Sequence, residues 1–160
     1  MKTEHSIIVP VSGEAAFAYL SQVSNETRWR QSIVGSRYVD SDVPALGVHG
    51  ETDVAMGSKR LTMRWVVTGF QPGTEVSWTL DGDPWHGGGG YRVTGHDGAS
   101  VIRARVEVRL KGIARAFEPL LWLQLRQGLR GDLRRLAGIL TADAHGEGEG
   151  SESTPQPSGR

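Results

Sequence analysis

Proton transfer, metal binding and nucleophilic attack each need particular side chains at particular spacings, and this 160-residue sequence offers few of them. It has no cysteine, which excludes a thiolate nucleophile, a thiolate-bound zinc or iron–sulfur site and a disulfide scaffold. Its histidines, His5, His49, His86, His96 and His145, form no HExxH or comparable pair, so no metal site is expected and no cofactor is implied. His49, Glu51 and Asp53 alternate along one strand face and look like a ligand set. The other face of that segment carries Val48, Gly50, Thr52, Val54 and Met56, and this parity assigns the three polar residues to water. General acid–base chemistry requires an inward, desolvated titratable group beside the substrate. Tyr91 and His86 are the candidates for proton handling. Tyr91 falls at an inward strand position, where its hydroxyl stands among apolar side chains either as a handle for a ligand or as a core tyrosine bonded to backbone. No Asp or Glu can be placed inward from the sequence, and whether the chain is an enzyme stays open.

Large apolar side chains are the richer signal. Trp65 and Trp78 occupy inward positions of two strands, and Trp29 sits on a short helix. With Met63, Tyr91, Phe117, Leu121 and Leu125 they either fill a core or wall a ligand cavity, since pockets are mostly apolar and aromatic with few polar groups. Asp83 to Gly90 reads as a glycine-rich hairpin loop. In one reading its Trp85, His86 and Gly88 close over a ligand at the cavity mouth, and in the other the loop only connects two strands. It is not a phosphate loop, because no helix and no Gly-Lys-Ser/Thr follows.

The elements that must position these residues follow from periodicity. Ser6 to Val11 is β-branched and apolar, as a strand requires, and Ser12 is placed to cap a helix over Glu14 to Ser21 with Ala16, Phe17 and Leu20 on one stripe. A second short helix after Ser24 carries Trp29. From Ile33 to Leu110 the period is two, with turn signals such as Met56-Gly57-Ser58 and Gln71-Pro72-Gly73, and six antiparallel strands are expected. Leu61, Met63, Trp65 and Val67 share a face, as do Val76, Trp78 and Leu80, and as do Ile102, Ala104, Val106, Val108 and Leu110. From Ile113 to Thr141 the apolar residues recur every three or four positions, giving a long helix that starts or kinks near Glu118-Pro119 and covers the apolar side of the sheet.

Eighteen basic residues balance eighteen acidic ones, so no global field draws the chain to nucleic acid. No segment approaches the roughly 20 apolar residues of a membrane span, and no secretory leader pattern opens the chain, so a cytoplasmic protein without integral membrane association is expected. Residues 143–160 hold no apolar side chain larger than Ala and read as a disordered Gly/Glu/Ser/Pro-rich tail on a single domain of residues 1–142.

Several local sequences carry a resemblance. Val9-Pro10-Val11 followed by Glu14 to Leu20, then Asn25 to Trp29 (NETRW), then Val67 to Pro72 (VTGFQP), and finally Gly112 to Leu140 are similar, in this order, to motifs of the START-like (SRPBCC) superfamily, in its polyketide cyclase/dehydrase and lipid-transport branch. The resemblance implies an α+β helix-grip fold: a curved antiparallel sheet wrapped around a long C-terminal helix, with two short helices after the first strand. It also implies a cavity for a hydrophobic small molecule between sheet and helix, with Trp29, Met63, Trp65, Trp78, Tyr91, Phe117, Leu121 and Leu125 as its wall. It does not imply a reaction. Three functions are therefore expected in order: binding of a lipid-like or polyketide-like molecule, cyclase or dehydratase chemistry on such a molecule, and a protein-interaction module. Oligomeric state is not readable from the sequence.

Overall fold

Lys2–Val9 open the chain as strand β1, and the computed structural model describes residues 2–81, 85–96, 98–110 and 118–149. Ser12 stops the strand and starts the first helix, α1 (Gly13–Ser21): its hydroxyl accepts the Ala15 N–H at 3.2 Å, satisfying one of the free donors of the first turn. Ala16, Phe17 and Leu20 are the buried stripe of α1, as their spacing predicts. A 3-10 turn, Val23–Asn25, leads into α2 (Glu26–Trp29), a single turn that buries both its first and last residues.

Six strands follow: β2 (Ile33–Tyr38), β3 (His49–Met56), β4 (Lys59–Gln71), β5 (Glu75–Asp81), β6 (Trp85–His96) and β7 (Ala99–Leu110). Each pairs antiparallel with the next, and β1 pairs with β7, so the curled seven-stranded sheet runs β1-β7-β6-β5-β4-β3-β2. Two bulges adjust the alternation. The one between Val67 and Gly69 shifts the parity of β4, so that Val67 and Phe70 both reach the core, Phe70 against Phe17 with ring centroids 6.2 Å apart. The expected His49, Glu51, Asp53 face is indeed the outer one. There Arg37 pairs with Glu51 and Asp53, Arg64 with Glu51, and His49 with Asp40.

The glycine run departs from the expected loop. Trp85 to Gly90 belong to β6, all in ladder register with β7, and Gly87 to Gly90 in register with β5 as well. Glycine reads as a loop in isolation, yet here its lack of a Cβ is what the sheet needs: a Cβ at Gly89 would stand 2.9 Å from the Trp78 ring and 2.8 Å from the Arg105 carbonyl.

The last element, α3, is described over Glu118–Glu149. The earlier part of the expected helix, residues 113–117, lies outside the described residues. The helix extends beyond residue 142, so the change of composition there is not a helix end. Leu129, Leu133, Leu136 and Leu140 face the sheet and close the core with Val9, Phe17, Val93, Ile102 and Ala104. Among the described residues, no helix is long and apolar enough to cross a membrane.

Candidate functional site

Toward its N-terminal half, α3 leaves that solid core and spans a cavity of about 600 Å³ against the inner face of the sheet. Period-two alternation supplies the wall: Leu61, Met63, Trp65 and Val67 from β4, and Val76, Trp78 and Leu80 from β5. Leu125, Gly128 and Leu129 of α3 form the opposite side. The two tryptophans are held by glycines directly across the ladder. Trp65 is the register partner of Gly50 and Trp78 of Gly89, so each indole can lie flat on a neighbour with no side chain. Trp65 is fixed further by its indole N–H, which donates to the Thr52 hydroxyl at 2.9 Å, and Thr52 shares a buried hydrogen bond of 3.0 Å with Ser36. Tyr38 meets Trp65 edge-on at 5.6 Å and donates its hydroxyl proton to the Ser21 carbonyl at 2.9 Å.

One end of the cavity is polar. Glu26, first residue of α2 and only 7% exposed, accepts from Arg30 Nη1 at 3.0 Å through Oε1, and the same oxygen accepts from the Tyr91 hydroxyl at 3.4 Å. Asp132 of α3 accepts the backbone N–H of Gln31 at 3.1 Å, tying the end of α2 to the long helix. Arg135 donates to the Trp29 carbonyl at 3.3 Å and reinforces that tie. Glu26, Arg30, Gln31, Tyr91 and Asp132 all line the cavity.

Burial shapes the protonation of this group. It raises the Tyr91 phenol, with the Arg30 guanidinium opposing and Glu26 adding to the rise, so Tyr91 stays a neutral proton donor. Tyr38 is pushed up to about 12 by burial and by the nearby Glu26 carboxylate. Burial also raises Asp132, against the opposing effects of the Gln31 N–H and Arg30. For Arg30 burial is the largest single influence and disfavours the charge, but Glu26, Tyr91 and Asp132 together outweigh it and the guanidinium is held firmly cationic.

Of the residues expected on a cavity wall, Met63, Trp65, Trp78, Tyr91 and Leu125 line this one. Trp29 does not. It is buried against Tyr91, edge-on at 5.9 Å, while Glu26 and Arg30 from the same turn take the places on the cavity wall. Phe117 lies outside the described residues, as do the side chains of Leu121 and Trp85. Gly88 borders the cavity from within β6, as part of the sheet and not of a mouth loop. His86 is exposed: the alternation that points Tyr91 inward turns it outward, on the same side as Arg92, which pairs with Glu75. Glu26, Arg30 and Asp132 were not foreseen. The available signals were the Glu26/Arg30 spacing of four and an aspartate interrupting the leucine stripe between Leu129 and Leu133. Among the described residues no three His, Asp or Glu side chains gather as a metal ion would need.

Comparison with known proteins agrees with this architecture. The model of the family described as polyketide cyclase / dehydrase and lipid transport matches residues 1–144. No curated protein matches the sequence. Among solved structures, a protein from Thermus thermophilus is similar at a TM-score of 0.74 and 7% identity, over 89% of this chain and 99% of that one. The Zhui aromatase/cyclase from a Streptomyces strain is similar at 0.69 and 12%, over 88% and 93%. A START superfamily protein from Mycobacterium smegmatis is similar at 0.60 and 14%, over 84% and 98%. At these identities the likeness is one of fold, the helix-grip arrangement of a curled sheet around a C-terminal helix.

Proposed function

The chain belongs to the polyketide cyclase / dehydrase and lipid transport family, and from that premise we propose that it takes up an apolar small molecule, lipid-like or polyketide-like, between the sheet and α3. The cavity carries the reading. Its volume of about 600 Å³ lies within the roughly 300–1,000 Å³ of small-molecule sites, and like them it is apolar except for a few convergent polar groups. The ligand would lie against Met63, Trp65, Trp78 and Leu125, with its polar end toward Tyr91. Removal of apolar ligand surface from water favours binding by about 25 cal/mol per Å² before the costs of association. The binding unit is residues 1–142, and Phe117 and Leu121 complete the wall. Native mass spectrometry of protein purified from its own host tests this. A stoichiometric apolar mass released on denaturation supports binding, and an empty protein that also fails to take up an uncharged fluorescent probe refutes it.

A second reading, cyclase or dehydratase chemistry on such a molecule, is favoured by one observation: the Tyr91 hydroxyl stands in the wall beside the Glu26–Arg30 pair. A phenol held neutral by burial is a proton donor suited to a leaving hydroxyl or a developing oxyanion. Conversion of the released molecule on incubation with fresh protein would favour this reading over simple carriage.

A further inference from the structure

We infer that Glu26 sets the charge selectivity of the cavity, so that it accepts apolar molecules with an uncharged hydroxyl or carbonyl end and rejects those ending in a carboxylate. The inference rests on the binding reading above and names the class of ligand that reading leaves open. Among the described residues that line the cavity, the charged side chains are Arg30, Glu26 and Asp132, one cation against two carboxylates. Alone in an apolar wall, a guanidinium would be the natural anchor for a carboxylate ligand, through paired charge-assisted hydrogen bonds. Arg30 is not alone. Its Nη1 is 3.0 Å from Glu26 Oε1, and the Arg30 and Glu26 side chains are 24% and 10% exposed, so water weakens the pair less than it would at an open surface. Asp132 acts on the same guanidinium electrostatically. Arg135, a further cation on α3, is bonded to the Trp29 carbonyl and lies 3.9 Å from Asp132.

A ligand carboxylate at this end would thus be a third negative charge facing one cation in a poorly screened space, where like charges repel strongly. An uncharged oxygen meets no such penalty. Arginine has five N–H donors, and the bond to Glu26 uses one of them, so a carbonyl or hydroxyl oxygen can accept from the others. A hydroxyl can in addition donate to a carboxylate oxygen. A solvated i,i+4 pair on a helix surface would do none of this; the position of Glu26 on the cavity wall gives an ordinary helix spacing its selectivity.

Displacement of the uncharged dye Nile red by decan-1-ol and by decanoate at neutral pH, in the wild type and in Glu26→Gln, tests the inference. The alcohol is expected to displace the dye at least about tenfold better than decanoate in the wild type. Because any carboxylate loses hydration on entry, the decisive result is the variant: Glu26→Gln frees Arg30 and should narrow or reverse the ratio by about tenfold. Should Glu26→Gln fold poorly, Arg30→Gln serves in its place and should widen the ratio, since both carboxylates are then uncompensated. A wild type that takes both molecules equally well, or a ratio unmoved by these variants, overturns the inference while leaving cavity binding intact. A wild type that takes up no dye overturns the binding reading and the inference with it.

Discussion

Gly50 lies directly opposite Trp65 in the β3–β4 ladder, and the indole rests on it so closely that no methyl group could be added without moving the ring. The glycine is therefore what allows a large aromatic side chain to lie against the sheet and leave the space in front of it open. Gly50→Ala is expected to drive the indole off the sheet and toward the cavity. Overpacking of this kind costs about 1–3 kcal/mol, read as a lower denaturation midpoint. Uptake of an uncharged probe should fall along with it. Unchanged stability and uptake would show that Trp65 has another place to go.

Tyr91→Phe separates carriage from catalysis. The variant loses one long hydrogen bond to Glu26, worth about 0.5–1.5 kcal/mol of stability, and keeps the ring that packs on Trp78 at 5.0 Å. Probe affinity is expected to stay within about threefold of the wild type, that is within about 0.7 kcal/mol. If turnover of a bound molecule is found, it should drop by about a hundredfold or more when a proton donor is removed. Retained turnover would discharge Tyr91 from any chemical role.

Asp132→Asn should raise the denaturation midpoint at neutral pH. The Asp132 carboxyl is raised in the folded protein by burial, so its contribution is fully present below the ordinary value near 3.8 and is lost as the pH climbs through the raised one. Asparagine keeps an acceptor for the Gln31 N–H and carries no charge to desolvate. The gain should vanish in acid, where both side chains are neutral. Denaturant titrations at neutral and acidic pH check this, and a variant less stable than the wild type at neutral pH would show that the ion pairs of Asp132 outweigh its burial.

Alkaline titration probes the other wall. Tyr38 has an ordinary value of 10.0 and a folded value of about 12. A group raised in this way contributes fully below its unfolded value and loses that contribution as the pH rises toward the folded one. Stability is expected to decline between these two values, and Tyr91, raised in the same direction, adds to the slope. Tyr38→Phe should flatten the decline in denaturant midpoints across this range, and an equal slope in the variant would assign it elsewhere.

Regular alternation carried most of the architecture from sequence to structure. Leu61 to Val67 and Val76 to Leu80 show their inner faces by parity alone, and Ser12 marks a helix start. What was illegible has physical reasons. Residues 26–29 make one helical turn, too short for any period to assign a face, so Glu26 reads as solvent-facing until tertiary contacts turn it inward. The glycines of β6 have loop propensity in isolation, and only the strands on either side make their smallness a requirement of the sheet: a Cβ at Gly89 would meet the Trp78 ring, one at Gly87 the backbone of β7 and one at Gly88 the backbone of β5. Trp29 is as buried as expected, but whether a buried ring borders a cavity or backs its wall depends on Tyr91, 62 positions away in the chain.

A space of about 600 Å³ beneath α3 is also volume that the described residues leave unfilled, and unfilled volume lowers the stability of a fold. A molecule that occupies it supplies the missing contacts, and by mass action it would add about 2.7 kcal/mol at a free concentration one hundred times its dissociation constant. The folded fraction, and with it resistance to proteolysis, would then follow the supply of the occupant. In a cell that stops making the molecule, the protein would be cleared sooner, so its abundance would itself be a gauge of how much of that molecule is present.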